Sequence, residues 1–218
     1  MMIFDVDGYL FDLDGTLVDS VFQHAVGWKV ALDSVGISVP TWRVRQCVGL
    51  GAADFLRRVS TRPVDPDELS QLRAIKAAVF AQMSASVGPF DRAVELLATL
   101  RARRMPWAVA TSGERSTAGP LLERLAIAPS DVVVTLSEVG RAKPWPDLFL
   151  AAAESLSVDV RRTAVVGDSV WDMQAATAAG AVGVGVRSGG ADTAELMEAG
   201  AVAVFDDVAA LLDRLLKQ

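Results

Sequence analysis

The 218-residue chain carries 51% hydrophobic and 22% charged residues, the balance of an ordinary globular protein rather than a disordered or membrane-embedded one. Its net charge of -6, with Lys and Arg scattered along the chain, excludes a nucleic-acid backbone as a natural partner. A single cysteine, Cys47, excludes an intrachain disulfide and fits a reducing compartment. No stretch reads as a membrane helix or a secretory leader, so the expected location is cytoplasmic, with no membrane partner.

In chain order, Tyr9-Leu10-Phe11 reads as a first strand that runs directly into Asp12. Between Val21 and Val87 no β-rich run occurs and apolar residues recur at helical spacing, as at Trp28, Leu32 and Val35. Within this stretch Asp65-Pro66-Asp67-Glu68 reads as a helix start, with Asp65 as N-cap and Glu68 placed to close a capping box; the helix is expected to run to about Met83. From about Met105, short apolar runs alternate with Ala/Leu-rich helical stretches: Trp107–Thr111, Val132–Leu136, Thr163–Val166 and Val182–Val186, followed by Ala201–Phe205. Asp206 or Asp207 would cap a closing helix. This is the pattern of an α/β protein, a doubly wound, Rossmann-like parallel sheet. Its core would comprise residues 1–20 and 88–218, with an inserted α-helical cap over 21–87.

In such sheets ligands bind beyond the carboxyl ends of the strands, and four of these ends carry chemistry. Asp12-Leu13-Asp14-Gly15-Thr16 sets two carboxylates and a run of backbone N–H groups around one point, an arrangement suited to a metal-bound phosphate. Thr111-Ser112-Gly113 offers hydroxyls and loop N–H groups, a weak signal by itself because it is also an everyday turn. Lys143-Pro144 supplies a cation, and Gly167-Asp168-Ser169 with Asp172 supplies a second acid pair. Singly, each residue has a plain structural reading: a turn for Asp14 and Thr16, a helix cap for Thr111, a solvated charge for Lys143, a first-turn acid for Asp172. Together they furnish what one mechanism needs at four successive strand ends. Ser112, Asp19 and Ser169 are left open between site support and loop structure.

These four elements, in this order, resemble the haloacid dehalogenase-like superfamily, in the branch with a helical cap after the first motif. The resemblance rests on Asp-Leu-Asp-Gly-Thr-Leu-Val-Asp-Ser, Lys-Pro-x-Pro-Asp-Leu-Phe and Gly-Asp-Ser-x-x-Asp, and spans nearly the whole chain. It implies a Mg²⁺-dependent phosphatase acting on a small phosphate monoester, such as a sugar phosphate or phosphoglycolate. By the same resemblance Asp12 is the nucleophile that forms an aspartyl-phosphate, and Asp14 is the general acid and base. Mg²⁺ would sit on Asp12, the main-chain carbonyl of Asp14 and Asp168, with Asp172 supporting them from behind. Thr111 and Lys143 would hold the phosphoryl oxygens. His24, the sole histidine, stands where sugar-phosphate-handling relatives carry one, and is read as a substrate contact or as a half-exposed cap residue. The partner expected is a small phosphorylated metabolite, bound to a monomer or homodimer.

Phe4-Asp5-Val6-Asp7-Gly8-Tyr9-Leu10 nearly duplicates Phe11-Asp12-Leu13-Asp14-Gly15-Thr16-Leu17, so the nucleophile has two candidate registers. The second is preferred: Asp5 has little chain before it to form a strand, Tyr9 replaces the Thr, and only the second copy continues into Leu17-Val18-Asp19-Ser20. Three other functions fit the motifs less well, among them a dehalogenase, whose relatives lack the second acid and the metal where this chain has Asp14 and Asp168. A β-phosphoglucomutase-like mutase would need cap cations, yet Val48 and Ala52 stand where Lys and Arg are expected, leaving Arg43, Arg45, Arg57 and Arg58 as substitutes. A non-catalytic binding protein would not need the intact acid set. Asp91-Arg92 replaces a frequent Pro-Gly pair at the second cap hinge.

Overall fold

The computed structural model describes residues 5–217; Met1–Phe4 and Gln218, at the outer edges of the expected core, lie outside them. Six parallel strands form one sheet in the order β3-β2-β1-β4-β5-β6. They are β1 (Gly8–Phe11), β2 (Trp107–Ala110), β3 (Val132–Val134), β4 (Thr163–Gly167), β5 (Val182–Val186) and β6 (Ala201–Phe205). The chain winds outward from β1 to β3, then crosses back to place β4 on the other side of β1, with Phe11 opposite Val166. The order therefore reverses between β1 and β4, and a crevice opens at their carboxyl ends.

Alternation along β1 sends Tyr9 and Phe11 to one face and Leu10 to the other. The first face is covered by α5 (Ala93–Ala102), α6 (Arg115–Arg124) and α10 (Val208–Leu216), the second by α7 (Asp147–Ser155) and α8 (Val170–Ala179). Both faces are buried, which is why the strands read as unbroken apolar runs. Asp207, rather than Asp206, caps α10 by accepting from Ala210 N at 2.8 Å. β3 stops two residues short of the expected Leu136. There Thr135 turns to cap a 3₁₀ turn, its N–H donating to the Glu138 carboxylate at 2.6 Å.

Four helices stand between β1 and α5: α1 (Val21–Ser34), α2 (Thr41–Gln46), α3 (Ala52–Val59) and α4 (Pro66–Met83). They share their own apolar cluster, centred on Trp28 stacked on Phe55 at 4.4 Å, with Leu32, Val44 and Leu72 around it. From α8, Trp171 enters this cluster with Val170 packed against it, and the Trp171 Nε1–H donates to Gln46 O at 3.2 Å. The two connections to the core run side by side, Asp19 N donating to Gly88 O at 2.9 Å and Phe90 N to Leu17 O at 3.0 Å. Asp65 caps α4 through Glu68 N at 2.9 Å, but the expected capping box does not close. The Glu68 carboxylate is drawn instead to Arg62, whose forked guanidinium binds both of its oxygens. At the second connection Arg92 adopts φ 55, the left-handed region that favours glycine, and its guanidinium ties Glu95 to Asp213.

Candidate active site

The carboxyl ends of β1 and β4 are neighbours, so Asp12 and Asp168 face each other across the crevice although the chain separates them widely. Asp12 N donates to Val166 O at 2.9 Å, which extends the pairing one residue past the strand and fixes the carboxylate above the sheet. Asp168 accepts from Thr16 Oγ1 at 3.1 Å. Asp172 belongs to the first turn of α8, where Ser169 is the N-cap; its Oδ2 accepts from Ser169 N at 3.1 Å and Ser169 Oγ at 2.5 Å. The plain reading of Asp172 as a first-turn acid is thus correct, yet its other oxygen faces the site. Oxygens of Asp12, Asp168 and Asp172 all lie within 4.8 Å of one another, and all three residues are buried.

Lys143 reaches this group with no solvent exposure, its Nζ hydrogen-bonded to Asp12 Oδ1 and 2.7 Å from Asp172 Oδ1. A solvated lysine is therefore excluded. Burial pushes the Asp12 carboxyl up to about 7, the charges of Asp172 and Asp14 push the same way, and Lys143 opposes them. Burial and the same like-charge crowding hold Asp168 well above the usual carboxylate range. Burial alone would lower Lys143, but Asp12 and Asp172 outweigh it and raise it.

Three buried carboxylates with one buried ammonium leave uncompensated negative charge, and an all-oxygen donor set of this kind fits a hard divalent cation. The packing around Asp168 agrees. A Cβ on Gly15, which sits at φ +90, would lie 2.5 Å from Asp168 Oδ2, and one on Gly189 would lie 1.7 Å from it. Both glycines leave room that any side chain would take.

Asp14 is turned the other way. Its Oδ1 accepts from Ser20 Oγ at 2.6 Å and His24 Nε2 at 2.8 Å, and its Oδ2 lies 3.4 Å from Thr111 Oγ1. Burial would raise Asp14, but the His24 and Ser20 contacts hold it well below the usual range. Burial lowers His24, and since Asp14 only accepts, the neutral ring carries its proton on Nε2. His24 is buried, not half-exposed, and stacks on Phe80 at 4.2 Å. Thr111 caps no helix; its Oγ1 accepts from Gly113 N at 3.0 Å. Ser112 Oγ is buried and has no hydrogen-bond partner among the described residues.

Asp12 and Asp14 face a cleft of about 290 Å³ between the helical lobe and the strand ends, lined also by His24, Lys76, Thr111 and Ser112. Lys76 and Arg73 of α4 project into it, Lys76 lying 5.5 Å from the Phe80 ring and Arg73 reaching Glu114 across the mouth at 3.8 Å. Neither is marked by a strand end, and helical periodicity does not separate them from surface cations. Ser188 and Gly189 were also missed, although the end of β5 is a fifth strand end; Ser188 Oγ donates to Gly15 O at 2.6 Å. Asp19 is exposed, while its neighbour Ser20 is buried and donates to Asp14. Asp5 and Asp7 precede β1 at the opposite end of the sheet, exposed, with Asp7 paired to Arg162 at 2.5 Å. Phe4, which opens the first copy of the motif, lies outside the described residues.

Among the described residues no helix is long and apolar enough to cross a membrane. Residues 6–180 match the haloacid dehalogenase-like hydrolase family. The chain is 32% identical over 193 residues to the fructose-1-phosphate phosphatase YqaB of Escherichia coli K12, covering 83% of this chain and 96% of that one. It is 32% identical over 209 residues to the phosphoglycolate phosphatase of Shigella dysenteriae serotype 1, covering 85% and 82%. The fold superposes on a hydrolase from Pseudomonas syringae with a TM-score of 0.92 and 37% identity, over 96% of this chain and 98% of that one. The chain belongs to the haloacid dehalogenase-like hydrolase family.

Proposed function

We propose that the chain is a Mg²⁺-dependent phosphoric monoester hydrolase that works through an aspartyl-phosphate on Asp12. The observation that carries this reading is the buried group of Asp12, Asp168, Asp172 and Lys143 at the adjacent ends of β1 and β4, open to a cleft also faced by Asp14. Asp12 and Asp168, with the main-chain carbonyl of Asp14, would hold the cation, and Asp172 backs them while fixing Lys143. When bound, Mg²⁺ would offset the crowded carboxylates, keep Asp12 ionised and draw charge from the phosphoryl oxygens.

The chain's own groups do the rest. Asp12 attacks phosphorus, and Lys143 offsets repulsion between its carboxylate and the incoming dianion. Thr111 and Ser112 donate to phosphoryl oxygens, which suits the free Ser112 hydroxyl. Asp14 rests ionised; a substrate dianion beside it raises its proton affinity, so it can carry a proton to the leaving oxygen and later take one from water. His24 holds Asp14 in place and faces the same cleft. Residues 21–87 serve as a cap over a core of 1–20 and 88–218, excluding water when closed.

The names of the relatives and the small volume of the cleft support a compact substrate, a sugar phosphate or phosphoglycolate-like ester, handled in the cytoplasm. The free, buried Cys47 fits that compartment. The arginines offered as mutase cations do not serve, since Arg57 is paired with Asp54 and Arg43, Arg45 and Arg58 do not line the cleft; Arg73 and Lys76 of the lobe do line it, and they keep the mutase as the second reading. The test is a screen of phosphorylated metabolites with Mg²⁺, read as free phosphate, with Asp12→Asn as control. Interconversion of sugar phosphates without phosphate release would favour the mutase, and absence of any turnover would favour a binding protein.

A further inference from the structure

Val48 lines both the cleft and a second cavity of equal size, about 290 Å³, at the low end of the range for small-molecule sites. Its walls come from both parts of the molecule: Arg43 and Arg45 of α2 and Arg58 of α3 on one side, Ser169, Trp171 and Gly189 on the other. Arginines nearby are matched with acids, as Arg57 is with Asp54 and Arg62 with Glu68. The three around this cavity have no carboxylate partner among the described residues. Arg45 donates to Gly189 O at 3.0 Å and Gly190 O at 3.3 Å, Arg43 donates to Arg58 O at 3.0 Å, and Arg58 lies over Trp171 with its Cζ 4.4 Å from the ring centre. Each guanidinium is held in place by a neutral group, and the stacked Arg58 keeps its N–H edge free. Of the two acids on the wall, Glu195 is used by Asp192 N at 3.0 Å and Asp168 by Thr16 and the acid group.

Three arginines that pair with no carboxylate among the described residues, Arg45 half-buried and Arg43 and Arg58 exposed at the rim, outnumber the two wall acids around one concavity of a net-acidic chain and make it a receptor for an anion. We propose that this cavity binds a compact oxyanion, a phosphate or carboxylate metabolite, at a site that adjoins the acid group through Asp168 but lies outside the cleft. Because the ligand would bridge α2 and α3 to the end of β5 and the start of α8, its occupancy fastens the lobe to the core and makes the metabolite an effector of cap movement.

The test is calorimetric titration of the full chain in Mg²⁺ buffer, with inorganic phosphate and, separately, malonate. Wild type is expected to bind one more equivalent of phosphate than Arg43→Ala/Arg58→Ala, while the variant hydrolyses p-nitrophenyl phosphate at the wild-type rate. Arg58→Gln alone should weaken that extra equivalent about tenfold, which covers the case of a poorly folded double variant. An extra malonate equivalent, lost in the double variant, assigns the cavity to carboxylates as well; its absence restricts it to phosphate. Equal stoichiometry of phosphate binding in wild type and the double variant, with Arg58→Gln unchanged, overturns the site, whatever happens in the cleft.

Discussion

Removing divalent cation should make the protein lose stability as pH rises, and the acid group sets the size of the effect. Asp12 rises from an ordinary 3.8 to about 7 because it is buried beside Asp172 and Asp14. A carboxyl whose folded value is raised contributes its stability fully below the unfolded value and loses it as pH climbs through the folded one. The window is therefore pH 4 to 7, and a shift of about three units at ~1.4 kcal/mol each amounts to ~4 kcal/mol. Asp168 is raised as well and adds in the same direction. His24 acts oppositely: lowered by burial, it is neutral when folded, so stability increases with pH up to about 6.5. That contribution is present with or without metal, and a difference measurement removes it. Urea unfolding at pH 5, 6, 7 and 8, in EDTA and in Mg²⁺, should show the Mg²⁺ increment growing by about 3 kcal/mol across the series. An increment that stays constant or shrinks with pH would refute the assignment of uncompensated charge to this group.

Asp12→Asn should abolish phosphate release while Asp5→Asn leaves it unchanged; the reverse would move the nucleophile to the first copy of the motif. Lys143→Met strands two buried carboxylates and should cost about 3–5 kcal/mol at pH 8, less at pH 5 where Asp12 can protonate, measured by urea unfolding. Gly189→Ala drives a methyl into Asp168 and should weaken Mg²⁺ stabilisation at least tenfold, read from the metal dependence of the melting temperature. Trp171→Ala removes the ring that enters the lobe's cluster and should cost about 3–5 kcal/mol in urea unfolding; a loss under 1 kcal/mol would show the lobe is held by other contacts.

The sheet was legible because burial on both faces forces strands into continuous apolar runs, and because the polar residues that follow each run fall at one edge of the crevice. Asp12, Asp14, Lys143, Asp168 and Asp172 were legible for that reason. Side-chain direction was not. Nothing in Asp-Leu-Asp shows that Asp14 turns from the acid group toward Ser20 and His24, or that Asp172 serves both the start of α8 and Lys143. Lys76 and Arg73 escaped notice because a cation on a long helix looks the same whether it faces a cleft or water. Glu68 was misassigned for a related reason: its nearest partner in sequence, the N-cap backbone, competes with Arg62, which only the fold brings within reach. Arg92 in a left-handed turn stands where glycine would cost nothing, with Glu95 and Asp213 holding its side chain.

The reversal of strand order beside β1 also bears on how the molecule is made. Asp12 meets Lys143 across 131 residues and Thr16 meets Asp168 across 152, so no early segment of the chain can assemble the acid group by itself. Closing such long loops is slow, and β1 stays an open edge until β4 arrives. Recovery of hydrolysis during refolding should therefore report the docking of β4, lagging behind the helical signal of the lobe, whose contacts are local.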